Sequence, residues 1–89
     1  LVPADVDVFE IHEAFAATIV KLQRELTIDE ARLNVNGGCI ALGHPMGATG
    51  AIMAGTALDE LKRTSGRLAV VAASGAGGTG SALLLERCD

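Results

Sequence analysis

The stretch Asn34-Val35-Asn36-Gly37-Gly38-Cys39-Ile40-Ala41-Leu42-Gly43-His44-Pro45-Met46-Gly47-Ala48-Thr49-Gly50 sets five glycines and one proline around a single histidine. Glycine is unusually free in its backbone torsions and proline unusually restricted. A chain accepts that entropic cost where main chain must approach something closely, or where one side chain must be held in one pose. His44 is the candidate for the held side chain. A second glycine-rich stretch, Ser74-Gly75-Ala76-Gly77-Gly78-Thr79-Gly80, lies near the end of the chain.

Around these loops the hydrophobic pattern predicts an alternation of strands and helices. Asp5 to Ile11 reads as a strand, with Val6 and Val8 on one side and Asp5 and Asp7 on the other. Glu13 to Leu26 reads as a helix with Phe15, Ile19, Leu22 and Leu26 in one stripe and Glu13 in the first turn, where it suits the helix dipole. Thr27 to Leu33 is a polar connection or a short helical turn. Gly38 to Leu42 reads as a short strand. A second helix is expected from Thr49 to Thr64, with Thr49 as N-cap, Lys62 and Arg63 in the last turn and Gly66 as the stop. Its first half is apolar nearly all round, which predicts burial. Leu68 to Ala73 is a continuous apolar run, as in a strand covered on both faces. Ser81 to Cys88 should return as a hairpin partner. No internal repeat or low-complexity linker interrupts this order.

Eighty-nine residues make one small domain at most. With 49% hydrophobic but only 2% aromatic residues, the core must be built from Ala, Val, Leu and Ile. The mean hydropathy of +0.40 suggests that part of the apolar surface meets another domain or subunit. A formal charge of −4 argues against a nucleic acid or anionic membrane as partner. Charged residues interrupt every long apolar run, so no membrane span is expected, and no signal peptide is recognisable. The chain opens Leu1-Val2-Pro3 without an initiator Met, from which we expect a fragment. Cys39 and Cys88 show no metal or disulfide-framework spacing and are expected as free, buried or partly buried thiols. No metal site is expected.

Three segments, in order, carry a resemblance to a known family. Asn34 to Gly50 closely resembles the signature of the thiolases, which condense and cleave coenzyme-A thioesters. Asp7-Val8-Phe9-Glu10-Ile11-His12-Glu13-Ala14-Phe15-Ala16 resembles that family's strand-into-helix motif, with Asn or His before Glu-Ala-Phe. Ser74 to Gly80 resembles its C-terminal glycine-rich loop. The resemblance spans nearly the whole chain and implies an α/β fold. Residues 1–89 would be the C-terminal part of a thiolase C-terminal domain, in a half-fold with a mixed five-stranded sheet of spatial order 3-2-1-4-5. On that mapping the first, central strand and its helix are missing. This leaves a gap between Asp5–Ile11 and Leu68–Ala73.

The resemblance also assigns roles. His44 would activate a nucleophilic cysteine and help bind the thioester oxyanion. His12 stands where many thiolases carry Asn, whose side chain holds a water in an oxyanion hole; some members carry His. Ser74 falls on the second catalytic cysteine. That thiol shuttles a proton, and an alcohol is a far weaker acid. The backbone at Ala76 and Gly43 could serve an oxyanion. Glu13 reads first as structural, holding loop backbone or offsetting the helix dipole, with support of the site from behind as the alternative; Asn34 and Asn36 read as turn residues, with Asn36 orienting the His44 loop or the bound water as the alternative. A helix-capping or core-polar role is the plain alternative for His12.

No residue here matches the first nucleophile, which lies in the N-terminal half of thiolases. The resemblance therefore implies an acyltransferase segment inactive alone, which needs that half or a complementing chain and forms a homo-oligomer when complete. Its substrate would be an acyl-CoA thioester, with no permanently bound cofactor and no residue assignable to coenzyme-A binding. The compartment implied is cytoplasmic, or the mitochondrial or peroxisomal matrix in a eukaryote. Ser74 keeps a second reading open: a non-catalytic thiolase-like protein that binds acyl-CoA or lipid, or acts as a scaffold.

Overall fold

The computed structural model describes residues 1–89. A mixed three-stranded sheet is the organising element. Strands β1 (Val8–Ile11), β2 (Leu68–Ser74) and β3 (Gly80–Glu86) lie in the order β1-β2-β3. β1 and β2 are parallel, with Val8 opposite Ala69 and Ile11 opposite Ala72. β2 and β3 form the expected antiparallel hairpin, with Leu68 opposite Glu86 and Ser74 opposite Gly80.

Helices cover the sheet from both sides. On one face α3 (Thr49–Thr64) buries Met53, Ala57 and Leu61 against Val8, Ala69 and Val71. On the other, Phe9, Ile11, Val6, Ile28 and Leu33 form a second cluster, joined by Ile19 and Leu22 of α1 (Ala16–Leu26) and by Val70 and Ala72. The alternation of β2 between these clusters explains its continuous apolar sequence. All four residues of β1 are buried, Glu10 among them.

The expected gap beside the first strand is absent. β1 hydrogen-bonds directly to β2 through four in-register residue pairs, which leaves no place for a strand between them. The Asp7 carboxylate fixes this junction by accepting the backbone N–H groups of Arg67 (2.7 Å) and Leu68 (2.9 Å). These bonds, the Leu68 bond foremost, hold the Asp7 carboxyl below its ordinary pKa.

Other boundaries shift for local reasons. Pro3–Asp5 forms a 3-10 turn, which breaks the alternation expected from Asp5 and sends Val6 and Val8 into different clusters. α1 begins at Ala16. Phe15, expected in its buried stripe, is the exposed N-cap, Leu26 is also exposed, and Glu13 lies outside the helix. The polar connection does form a 3-10 turn, at Glu30–Arg32, capped by the Asp29 side chain. Cys39–Leu42 is a single helical turn, α2, instead of a strand. The free edge of β1 is already taken: Leu33 bridges Phe9, and the Asn34 side chain both accepts from Ile11 N–H and donates to Ile11 C=O.

α3 keeps its expected span, but Ala48 occupies the cap position and Thr49 is the first helical residue. Only one face of α3 is covered; Ile52 and Leu58 on the other are exposed. Its left-handed terminal residue is Ser65, and Gly66 N–H returns to the Leu61 carbonyl. Cys39 is half-buried, whereas Cys88, expected at least partly buried, is exposed; both thiols are free. No helix is long and apolar enough to cross a membrane.

Candidate active site

The singled-out residues come from three connections. His12 and Glu13 follow β1, His44 lies between α2 and α3, and Ser74 ends β2. Because β1 and β2 are parallel, His12 and Ser74 lie at the same, carboxyl end of the sheet, where open α/β sheets place their ligand sites.

The backbone delivers His44 to this end. Gly38 starts the loop close to Glu13: a side-chain carbon at Gly38 would overlap the Glu13 carboxyl. That carboxylate reaches across the loop, accepting Ile40 N–H (3.1 Å) with one oxygen and an Asn34 amide N–H (3.3 Å) with the other. The Glu13 carbonyl accepts the Cys39 thiol at 3.0 Å. Gly43 then takes φ 96°, a left-handed conformation that glycine adopts without strain, and turns the chain toward His44.

His44 is exposed at the loop surface, with its ring held from behind. Nδ1 lies 2.7 Å from Oγ1 of Thr49, itself only 6% exposed. Which of the two donates depends on the imidazole tautomer, but either arrangement directs Nε2 away from Thr49. The ring of His12 packs beside it, with centroids 4.4 Å apart and planes tilted by 49°. His12 also borders two cavities. A narrow one of about 30 Å³ lies toward α3, against Glu10, Thr49, Met53 and Thr56. A wider one of about 350 Å³ lies toward α1 and is shared with Ser74, Thr18, Leu22 and Ser81. His12 is thus the side chain that connects His44 with Ser74.

The supporting residues divide differently. Asn36 does not reach the His44 loop; its amide donates to Glu60 Oε1 at 3.1 Å. Glu60, buried on α3, also receives two bonds from Arg63, at 2.9 and 2.6 Å. The Arg63 bonds, then that of Asn36, hold Glu60 down at a pKa of about 2, so it is an anion. Asn34 has φ 46° and serves as the surrogate edge partner of β1. Ala76 sits exposed in the tight turn between β2 and β3, its carbonyl accepting the Thr79 hydroxyl at 3.2 Å.

Two residues at this site were not singled out by sequence reasoning. Thr49 looked like a cap, and its position five residues after His44 at a helix start is the signal that was available. Glu10 is a lone charge in the apolar run Val8-Phe9-Glu10-Ile11, with the same strand parity as His12. Burial, followed by the carboxylates of Glu13 and Glu60, pushes its pKa up to about 7.

This arrangement can supply two adjacent imidazoles to an atom seated in front of them, one proton acceptor and one donor among them. Paired imidazoles of this kind can accept and donate protons at a reacting carbonyl. Residues 1–87 match the family described as thiolase, C-terminal domain. The chain is 53% identical over 91% of its length to 21% of a probable acetyl-CoA acetyltransferase of Mycolicibacterium smegmatis. It is 45% identical over 94% of its length to 22% of a 3-ketoacyl-CoA thiolase of Bacillus subtilis. The crystal structure of human mitochondrial 3-ketoacyl-CoA thiolase in complex with CoA superposes with a TM-score of 0.95 at 40% identity, covering 99% of this chain and 22% of that one. The chain therefore belongs to the thiolase family, and it corresponds to the C-terminal part of these proteins. It spans about a fifth of the length of the curated relatives it matches.

Proposed function

We propose that residues 1–89 are the C-terminal part of the C-terminal domain of an acyltransferase acting on acyl-CoA thioesters, by thiolysis of a 3-ketoacyl-CoA or by the reverse condensation. The observation that carries this reading is the His12–His44 pair, set 4.4 Å apart at the carboxyl end of the sheet with Ser74 in the adjoining cleft. In the complete site His44 Nε2 takes the proton of a cysteine thiol that lies outside these residues. The resulting imidazolium and His12 then donate hydrogen bonds to the thioester oxygen as it gains charge. Glu13 holds the His44 loop, and the turn around Ala76 offers backbone N–H groups to a second oxyanion. Neither Cys39 nor Cys88 matches the family's first nucleophile, so on this reading the segment turns over no substrate alone. An N-terminal half or a complementing chain completes it, within a homo-oligomer. In the full-length protein His44→Ala should lower kcat for thiolysis by more than the roughly 10²–10³ lost with one oxyanion donor. Near-wild-type turnover would refute the assignment.

Ser74 favours a second reading, in which the fold binds acyl-CoA without turning it over. Ser74 lines the same cleft as His12, but its hydroxyl is too weak an acid to replace a catalytic thiol. Ser74→Cys should restore or raise thiolysis if the enzyme reading holds. If Ser74→Cys changes nothing while His12→Ala abolishes activity, His12 is the proton shuttle. If acyl-CoA binds but neither variant nor wild type turns it over, the binding reading holds.

A further inference from the structure

Two buried polar atoms at the site have no partner within the protein: Oε2 of Glu10 and Nδ1 of His12. Glu10 lies on β1 and His12 directly follows it; two apart, they share the parity of Val8, which packs against α3. Both line the narrow cavity of about 30 Å³, walled on the α3 side by Thr49, Met53 and Thr56. Glu10 is only 3% exposed. A buried water needs roughly 10–15 Å³ and two to four polar partners, so this cavity has the room and the partners for one. Leaving two such atoms unpaired would cost about 1–3 kcal/mol each, which a single bridging water avoids.

We propose that a buried water joins the Glu10 carboxyl to His12 Nδ1, which makes Glu10 the positioning residue that sets the tautomer of His12. The charged groups around Glu10 fix the direction of this link. Burial, then the Glu13 and Glu60 carboxylates, raises its pKa, and Arg63 is bound to Glu60. In its neutral form Glu10 donates its O–H to the water, and the water donates to Nδ1. Nδ1 then accepts, the ring proton resides on Nε2, and His12 presents Nε2–H to the cleft as a hydrogen-bond donor. The two histidines are thus braced alike through Nδ1, His44 by a threonine hydroxyl directly and His12 by a carboxyl through water.

The link itself does not depend on the proposed reaction; only the use of Nε2–H does. The test is the full-length protein labelled with ¹⁵N-histidine, at a pH below the Glu10 transition. Wild type should show His12 with one pyrrole-like nitrogen, Nε2, and one pyridine-like nitrogen, Nδ1. Glu10→Gln, whose amide can still donate to the water, should keep that pattern. Glu10→Met should collapse it toward averaged shifts and lower kcat about as far as His12→Phe, with KM little changed. An unchanged pattern in Glu10→Met overturns the proposal, as does a wild-type proton on Nδ1. Should Glu10→Met fail to fold, a crystal structure of the wild type decides: density for a water within hydrogen-bond reach of both atoms supports the link, and its absence overturns it. Normal tautomers with no thiolysis in any variant would refute the reaction while leaving the link standing.

Discussion

The Thr49 hydroxyl offers the most direct way to separate holding a catalytic group from being one. Thr49→Val keeps the branched shape of a residue only 6% exposed and removes the atom 2.7 Å from His44 Nδ1. The net value of such a hydrogen bond is about 0.5–1.5 kcal/mol. If it does nothing but hold His44 in one orientation, the productive population falls by roughly 2- to 12-fold, and kcat/KM for thiolysis falls with it. His44→Ala, in contrast, should lose more than about 10². Initial rates with a 3-ketoacyl-CoA substrate, measured on the full-length protein, resolve these ranges. Thr49→Ser, which restores a hydroxyl, should recover most of the loss. A folded Thr49→Val variant with wild-type rates would show that the contact does not position His44. A loss as deep as that of His44→Ala would mean that Thr49 takes part in the chemistry.

Raising the pH should expose the cost of Glu10. Its folded pKa of about 7 lies above the unfolded value of about 4.5, so the folded state holds the extra proton between these values. Stability therefore falls from about pH 4.5 to 7 and stays lower above that. Glu10→Gln should remove this slope and stabilise the protein at pH 8 by roughly 1–3 kcal/mol, read from urea melts at pH 5 and 8; equal slopes would contradict it. Gly38→Ala should displace the Glu13 carboxylate from the loop and cost about 1–3 kcal/mol. Adding Glu13→Ala to it should then cost little more, and full additivity in the melts would show that the two sites do not touch.

Much of this architecture was legible because single residues punctuate it. The uninterrupted run Leu68–Ala73 marked a strand covered on both faces, and Thr49–Thr64 a helix with basic residues at its end. What was not legible depended on distant partners. Gly38–Leu42 has the composition of a strand, but the edge it would pair with is filled by Leu33 and by the Asn34 side chain, twenty-odd residues from β1 in sequence. The position of the first strand beside Leu68–Ala73 depends on pairing across about sixty residues, which no local pattern reports. Within the site, the glycine-rich loop pointed to His44. The contact between the rings of His12 and His44 joins residues from separate connections, and Glu10 gains its altered acidity only from burial beside Glu13 and Glu60.

The parallel pairing of β1 with β2 separates the two ends of the sheet by task. At the amino end, Asp7 clamps Arg67 and Leu68, and that clamp sets the register before any loop residue is reached. A slip of one residue would carry His12 to the opposite face of the sheet. With alignment secured at one end, the connections at the other can be lengthened, shortened or replaced without disturbing how the strands meet. Changes to the connections at the carboxyl end should therefore leave the Asp7–Arg67 corner untouched.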